Sequence, residues 1–427
     1  MIALFMFVIA LLLLLFGIPV AFAFGGVAMM FAFIIPDLGF EVFNILPFRI
    51  YGIMSNTTLM AVPLFIMMGL ILEKSGMAEK LLMSMSAMFK SVRGGLGVSV
   101  VLVGAILAAS TGIVSASVVM MSVIALPLML QAGYNKGLAS GTIAASGTLG
   151  QIIPPSIILI ILGDVMSVSV GDLFMGAVLP GMTLVGLYIS YILIRAYINK
   201  EDAPAIISDE KVSSLDLLKA IVPPLLLMIS VLGSIFAGIA SPTESAAFGV
   251  VGGVILSAMN KTLNFDMIKY ALFDTMKLSG MIFMILIGAT SFSLVFNELG
   301  GTDIILEFFS EDVGNVWVFI GVSMLSIFIL GFFIDFIEIS FIIVPILVPV
   351  MSAFGIDPIW FAVLIAMNLQ ASFLTPPFGL SLFFLKGAAG GSVSTVDIYK
   401  GIVPFIFLQL LGLGLVLLFP DLVFAFL

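Results

Sequence analysis

Gly147-Thr148-Leu149-Gly150-Gln151-Ile152-Ile153-Pro154-Pro155-Ser156 and Asn368-Leu369-Gln370-Ala371-Ser372-Phe373-Leu374-Thr375-Pro376-Pro377-Phe378-Gly379 are two polar, proline-broken interruptions of apolar helical runs, with Pro154 and Pro376 standing 222 residues apart. A Pro-Pro pair removes two backbone donors and disfavours the helical conformation just before it, so carbonyls and amides around it lose their intrahelical partners. In hydrocarbon this is tolerated only where the freed groups face protein, water or a bound ion. Both stretches therefore read as the unwound centres of transport helices.

The rest of the chain is membrane-like. Of 427 residues 62% are hydrophobic and 9% charged, and the mean hydropathy is +1.35, which excludes a water-soluble domain and fits an all-α polytopic membrane protein. Charge-free runs such as Met1 to Phe16, Val222 to Ile239 and Ile402 to Phe419 have spanning length or nearly so. The ten-residue alternation of a membrane barrel is absent. The first run has no basic flank and continues through Gly17-Ile18-Pro19 into a second apolar stretch, so it is expected to be a mature span. With no Cys and no His, thiolate, zinc, haem and imidazole chemistry drop out, no cofactor is expected, and an enzyme is not. The net charge of −9 argues against nucleic acid, and no Walker motif is present to hydrolyse ATP.

A shift of 222 residues superposes Pro127 on Pro349, Gly133 on Gly355, Pro154 on Pro376 and Pro155 on Pro377. Shifts of 223 or 224 bring Pro19 onto Pro242, Gly25 onto Gly249, Gly76 onto Gly300 and Pro180 onto Pro404. The kept order implies a duplication. The first unit, 1–198, is expected to hold scaffold spans within 2–73, a hairpin 96–131, a broken helix 137–163 and a span 173–195. A linker 199–215 follows, and the second unit, 216–427, repeats the plan with spans within 220–296, a hairpin 315–354, a broken helix 358–386 and a span 401–426. The hairpin arms are shorter than the roughly 20 residues that cross a bilayer, so they read as re-entrant.

Charge orients the units, because lysines and arginines mark cytoplasmic loops. The stretch after the third span carries Lys74, Lys80, Lys90 and Arg93, while its counterpart carries Glu298, Asp303, Glu307, Glu311 and Asp312. Lys136 is likewise matched by Asp357, and Asp164 and Asp172 by Lys386 and Lys400. Arg195, Lys200, Lys211 and Lys219 place the linker in the cytoplasm, and both termini fall on the opposite side. The repeats are inverted. Inverted repeats with discontinuous helices meeting near the midplane are the architecture of secondary transporters, where half-helix N-termini face anionic groups and unwound carbonyls hold Na⁺.

Two stretches beside the breaks could share in this chemistry. The first hairpin tip, Ser110-Thr111-Gly112-Ile113-Val114-Ser115-Ala116-Ser117, offers hydroxyls and glycine-exposed carbonyls as hard ligands for Na⁺ if they converge on the carbonyls freed around Gly147 to Pro154. The alternative is that these hydroxyls bond back to their own helix. The second tip, Gly331 to Ser340, puts Asp335 and Glu338 inside an apolar run, where carboxylates bind a cation, accept a proton, or cap the re-entrant helix. Ser241-Pro242-Thr243-Glu244 reads as a capping box with Pro in the first turn, a structural feature.

The paired motifs closely resemble the large membrane subunit of TRAP transporters, the DctM-type permease, over essentially the whole chain: Gly147 to Gly150 with Ile153 to Ser156, and Gly331 to Asp335 with Thr375 to Gly379. The resemblance implies a fold of the ion-transporter superfamily and an elevator mechanism, in which two hairpins and two broken helices slide against a scaffold in the bacterial inner membrane. It implies Na⁺-coupled uptake of an organic acid. It also implies two partners, a small membrane subunit of about four spans and a periplasmic substrate-binding protein. Carried onto this sequence, one Na⁺ lies between Ser110, Thr111, Gly112 and Ser115 and Gly147, Thr148 and Pro154. A second lies between Asp335 or its neighbouring carbonyls and Gln370, Ala371 and Thr375. The acid sits between them, against Ser110, Gln151, Pro155, Ser156, Glu338, Ser372 and Pro377. The runner-up reading is a stand-alone Na⁺- or H⁺-coupled dicarboxylate or anion symporter of the same superfamily, which needs no binding protein.

Overall fold

The computed structural model describes residues 1–35, 38–205 and 214–427, apart from the side chains of 108–111 and 214–217. Every regular element among the described residues is helical. In the first half α1 (Ile2–Leu15), α2 (Val20–Ile34), α3 (Leu46–Met54) and α4 (Ala61–Lys74) are followed by α5 (Met77–Met88), bent 61° away from α4. Next come α6 (Gly95–Thr111) and α7 (Val114–Gln131), the interrupted pair α8 (Lys136–Thr148) and α9 (Ile157–Val165), and α10 (Val170–Ile198). The second half runs α11 (Ser214–Phe236), α12 (Pro242–Met259), α13 (Phe265–Glu298), α14 (Gly301–Glu307), α15 (Val316–Leu330) and α16 (Phe336–Glu338). A π-helical stretch, Ile339–Ile343, joins α16 to α17 (Val344–Ala353). The chain ends with α18 (Pro358–Leu374), α19 (Leu380–Ala388), α20 (Thr395–Leu418) and α21 (Asp421–Phe424). Among the described residues seven helices are long and apolar enough to cross a membrane, or eight if α4 and α5 count as one bent span.

Helix starts in the two halves use the same local chemistry at matching positions. Asn135 Oδ1 accepts from the amides of Gly137 and Leu138 to open α8, and Asp357 Oδ1 accepts from Ile359 and Trp360 to open α18. Each satisfies first-turn donors that have no intrahelical partner. Ser169 caps α10 as Ser394 caps α20. Gly76 and Gly300, both at φ 69°, turn the chain into α5 and α14 through a left-handed conformation that a Cβ disfavours.

The helices pack as two bodies, each drawing on both halves. In the first body α4 packs on α12, α2 on α13, α4 on α13, and α11 on α12 and α5. In the second, α8 packs on α20, α6 and α7, while α10 and α18 join the same group. The interrupted helices are exchanged crosswise. The far arm of the first, α9, packs against α16, α17 and the π-helical stretch of the second hairpin, and the far arm of the second, α19, packs against α7 of the first. The seam between the bodies runs where α6 meets α4 and α5, and where α13 meets α16.

Three extents differ from the sequence expectation. Residues 40–54 form a 3-10 segment and α3 where a connector was expected. The last of the spans expected within 220–296 is part of a 34-residue helix that starts at Phe265 and runs to Glu298. At about 1.5 Å per residue α13 is ~51 Å long, so its charged first turns extend past a ~30 Å hydrocarbon layer. The last span begins earlier than 401, at Thr395, and α20 stops at Leu418.

Candidate functional site

Both interruptions lie where the prolines predict, and the freed backbone groups have specific replacements. Pro155 cannot donate to Gln151 O, and Pro377 cannot donate to Phe373 O. A serine hydroxyl does so in each case: Ser156 Oγ donates to Gln151 O at 2.7 Å, and Ser381 Oγ to Phe373 O at 2.7 Å. Thr375 Oγ1 donates to Ala371 O at 2.8 Å, and Ser372 Oγ to Leu369 O at 2.8 Å. At Gln151, Leu369, Ala371 and Phe373 one lone pair of the carbonyl oxygen is therefore already used, which leaves the second. The Pro154-Pro155 and Pro376-Pro377 peptide bonds are cis.

The two breaks meet. Gln370 Nε2 donates to Thr148 Oγ1 at 3.4 Å, and these positions are related by the internal shift of 222 residues. Residues equivalent under a duplication touch where its pseudo-two-fold axis passes between them. Thr148 and Gln370 are fully buried, as is the neighbouring Gln151. Among the described residues both amide atoms of Gln151, together with Gln370 Oε1, have no hydrogen-bond partner. A buried polar atom left unpaired costs about 1–3 kcal/mol, so such groups collect where a ligand completes them. Their chemistry fits Na⁺, which takes oxygen ligands, and polar groups of a small acid, which the Gln151 amide can meet as donor or acceptor.

The hairpin tips close on the breaks. Gly112, at φ 60°, lies so near α9 that a Cβ on it would fall 2.8 Å from Ile157 Cγ1. Gly147 lies against α7, with its Cβ position 3.0 Å from Val118 Cα. Ser115 is half-buried in the first turn of α7, and the side chains of Ser110 and Thr111 lie outside the described residues. In the second hairpin Gly331 is pressed on Ser372, with a Cβ position 2.2 Å from its Oγ. Asn368 Nδ2 donates to Met324 O at 2.7 Å, tying α18 to α15.

Asp335 Oδ1 accepts from Phe336 N at 2.7 Å, so the capping role weighed for it is occupied by one oxygen. Glu338 Oε2 is buried without a partner. Both residues line a cavity of about 610 Å³ whose other wall is the α1–α2 turn and α13. Pro154, Pro155 and Ser156 are buried at the first break. Pro377 is not: it is exposed, and its carbonyl accepts from Tyr399 Oη at 3.0 Å. It therefore lies at the outer edge of the second break.

Two features escaped the sequence reading. Asn56 Nδ2 donates to Asp164 Oδ1 at 2.5 Å, bridging the α3–α4 loop of the first body to the end of α9 in the second. Lys277 lines the same cavity as Asp335 and Glu338. Only a lysine at the edge of an apolar run signalled the second, and a lone loop asparagine gave no signal of the first.

The whole chain has relatives of known type. It is 28% identical to the C4-dicarboxylate TRAP transporter large permease protein DctM of Rhodobacter capsulatus, across 99% of this chain and 98% of that protein. It is also 28% identical to the sialic acid TRAP transporter large permease protein SiaM of Vibrio cholerae, across 95% and 93%. In fold it resembles the crystal structure of the Alcanivorax borkumensis YdaH transporter, with a TM-score of 0.64 at 16% identity over 90% of this chain and 89% of that one. Residues 7–422 match the family described as the tripartite ATP-independent periplasmic transporter, DctM component. The chain thus belongs to the TRAP transporter large permeases, multi-pass inner-membrane proteins that transport and are not enzymes.

Proposed function

We propose that this permease takes up an organic acid with Na⁺, the second body carrying the acid past the first as an elevator, and that the chain descends from inverted copies, 1–198 and 216–427, each contributing helices to both bodies. The observation that carries the reading is the buried contact of Thr148 with Gln370, flanked by the unpartnered amide of Gln151 and by Gln370 Oε1. One Na⁺ lies near Gly112, Ser115, Gly147, Thr148 and Pro154, and a second near the carbonyls around Asp335 and Gln370 to Thr375. The acid lies between them, near Gln151, Ser156, Glu338 and Ser372. A small membrane subunit and a periplasmic binding protein complete the transporter. The relatives named for C4-dicarboxylates and sialic acid support a carboxylate cargo.

Coupling to Na⁺ makes a direct prediction. A monocarboxylate moving with two Na⁺ carries net positive charge inward, and each charge gains about 2.3 kcal/mol per 100 mV of inside-negative potential. Proteoliposomes holding the permease and both partners are expected to accumulate the acid only under an inward Na⁺ gradient. Uptake indifferent to Na⁺ would falsify the proposal, and uptake without the binding protein would favour a stand-alone symporter.

A further inference from the structure

The cavity beside the second hairpin tip contains charges that the proposed Na⁺ sites do not use. One wall is built by Phe333, Asp335 and Glu338, the other by Gly17 to Phe22 and by Lys277, Gly280, Met281 and Met284 of α13. The α13 residues recur at spacings of three and four, so a single helix face lines the space. Lys277 is exposed and in no salt bridge among the described residues. Glu338 lines the same cavity, and its Oε2 is buried without a partner among the described residues. A carboxylate only accepts and an ammonium only donates. The space between these walls is complementary to a molecule with an anionic group at one end and donors at the other.

The packing register shows where the cavity leads. A Cβ on Gly288 would lie 2.5 Å from Ala21 O, and the Phe24 and Phe292 rings are 4.8 Å apart, so α2 runs beside the later half of α13. The α1–α2 turn therefore sits level with the middle of α13, and Lys277 lies nearer its start. That start is marked by Lys74 Nζ, 4.5 Å from the Tyr270 ring centroid, within the stretch that also carries Lys80, Lys90 and Arg93. By the excess of basic residues this end is cytoplasmic. At the opposite face the corresponding seam is bridged by Asn56 and Asp164. In a transporter of inverted repeats, such asymmetry between the halves distinguishes the open side from the closed one.

We infer that this cavity is the cytoplasm-facing vestibule through which cargo leaves, and that Lys277 is a specificity-determining residue there, pairing with the cargo's carboxylate while Glu338 takes a hydroxyl or ammonium on the same molecule. The inference rests on the proposed organic-acid cargo and narrows it to hydroxy- or amino-substituted acids. A plain aliphatic dicarboxylate would turn its second carboxylate toward Asp335 and Glu338.

The absence of cysteine gives a direct test. Met281→Cys, or Met284→Cys should the first assemble poorly, places one thiol of this chain on the cavity wall. Inside-out and right-side-out vesicles carrying the complex are treated with membrane-impermeant methanethiosulfonates, one bearing a sulfonate and one a trimethylammonium. The sulfonate reagent is expected to react from the cytoplasmic face, and adding Lys277→Met is expected to slow it roughly tenfold while speeding the cationic reagent. Sodium gluconate should slow labelling more than sodium hexanoate, which has the same carbon number without hydroxyls. Rates that ignore residue 277, reaction confined to the periplasmic face, or equal competition by the two acids overturn the inference. Labelling needs no Na⁺ gradient, so failure here and failure of sodium coupling are told apart.

Discussion

At the scale of single residues, Gln151 offers the sharpest separation of function from stability. Its amide is buried and unpaired at both atoms. Replacing an unsatisfied buried polar group by an apolar one of similar shape is neutral or stabilising when the group has only a structural role. Gln151→Leu is therefore expected to hold or raise the thermal stability of the detergent-purified protein while lowering uptake by the complex at least about tenfold. Normal uptake with raised stability would mean that the amide meets no ligand. Pro154→Ala and Thr375→Ala test the two breaks separately. Thr375→Ala frees Ala371 O from its hydroxyl donor and removes a hydroxyl that the proposal places beside the second Na⁺. Each is expected to raise the Na⁺ concentration for half-maximal uptake several-fold, at unchanged membrane abundance on immunoblots. The Pro-Pro pairs were legible because proline removes a donor wherever it stands. Ser381 was not, since its bond to Phe373 O spans eight residues of a reversed chain and no local pattern encodes it.

At the scale of elements, glycine decides how closely the helices approach. The chain holds 42 glycines, too many for spacing alone to identify contacts, and the structure separates them. At the crossing of α8 and α20 a Cβ on Gly401 would lie 1.9 Å from Gly137 O, and one on Gly141 would lie 2.2 Å from Gly401 O. Backbone stands on both sides, so neither helix can yield without moving. Gly401→Ala is expected to cost about 3 kcal/mol or more, as overpacking at an unyielding contact does, seen as a lower melting temperature and fewer monodisperse particles. Gly186 on α10 has nothing within 4 Å of its Cβ position, and Gly186→Ala should be neutral or slightly stabilising. Element existence was legible from apolar runs, whereas extent was not where charge intervenes. Asp266, Lys269, Asp274 and Lys277 lower the hydropathy of the first turns of α13, yet that segment remains helical.

At the scale of the whole molecule, the prolines and glycines that keep their order carry the reading of a duplication, but the relative position of the two bodies was not legible in the sequence. That position depends on which surfaces face each other, and one hydrogen bond marks it on the side opposite the cavity. Asn56 Oδ1 accepts from the amides of Thr58 and Leu59, which fixes the side chain to its own loop, and Nδ2 then reaches Asp164. Thr243 Oγ1 donates to Thr57 O at 2.6 Å and holds the same loop to α12, so the loop is anchored within the first body. Asp164 ends α9, which belongs to the second. The elevator movement proposed above would break this contact on every cycle, because its partners stand on the two bodies that it would slide past each other. Asn56→Cys with Asp164→Cys, joined by mild oxidation or a short thiol cross-linker, is expected to stop uptake, with reductant restoring it and either single variant remaining active. The joined protein should still accept the sulfonate reagent at Met281→Cys from the cytoplasmic face, because the link holds the state in which that side is open. Continued uptake by the cross-linked complex would show instead that the two bodies move as one.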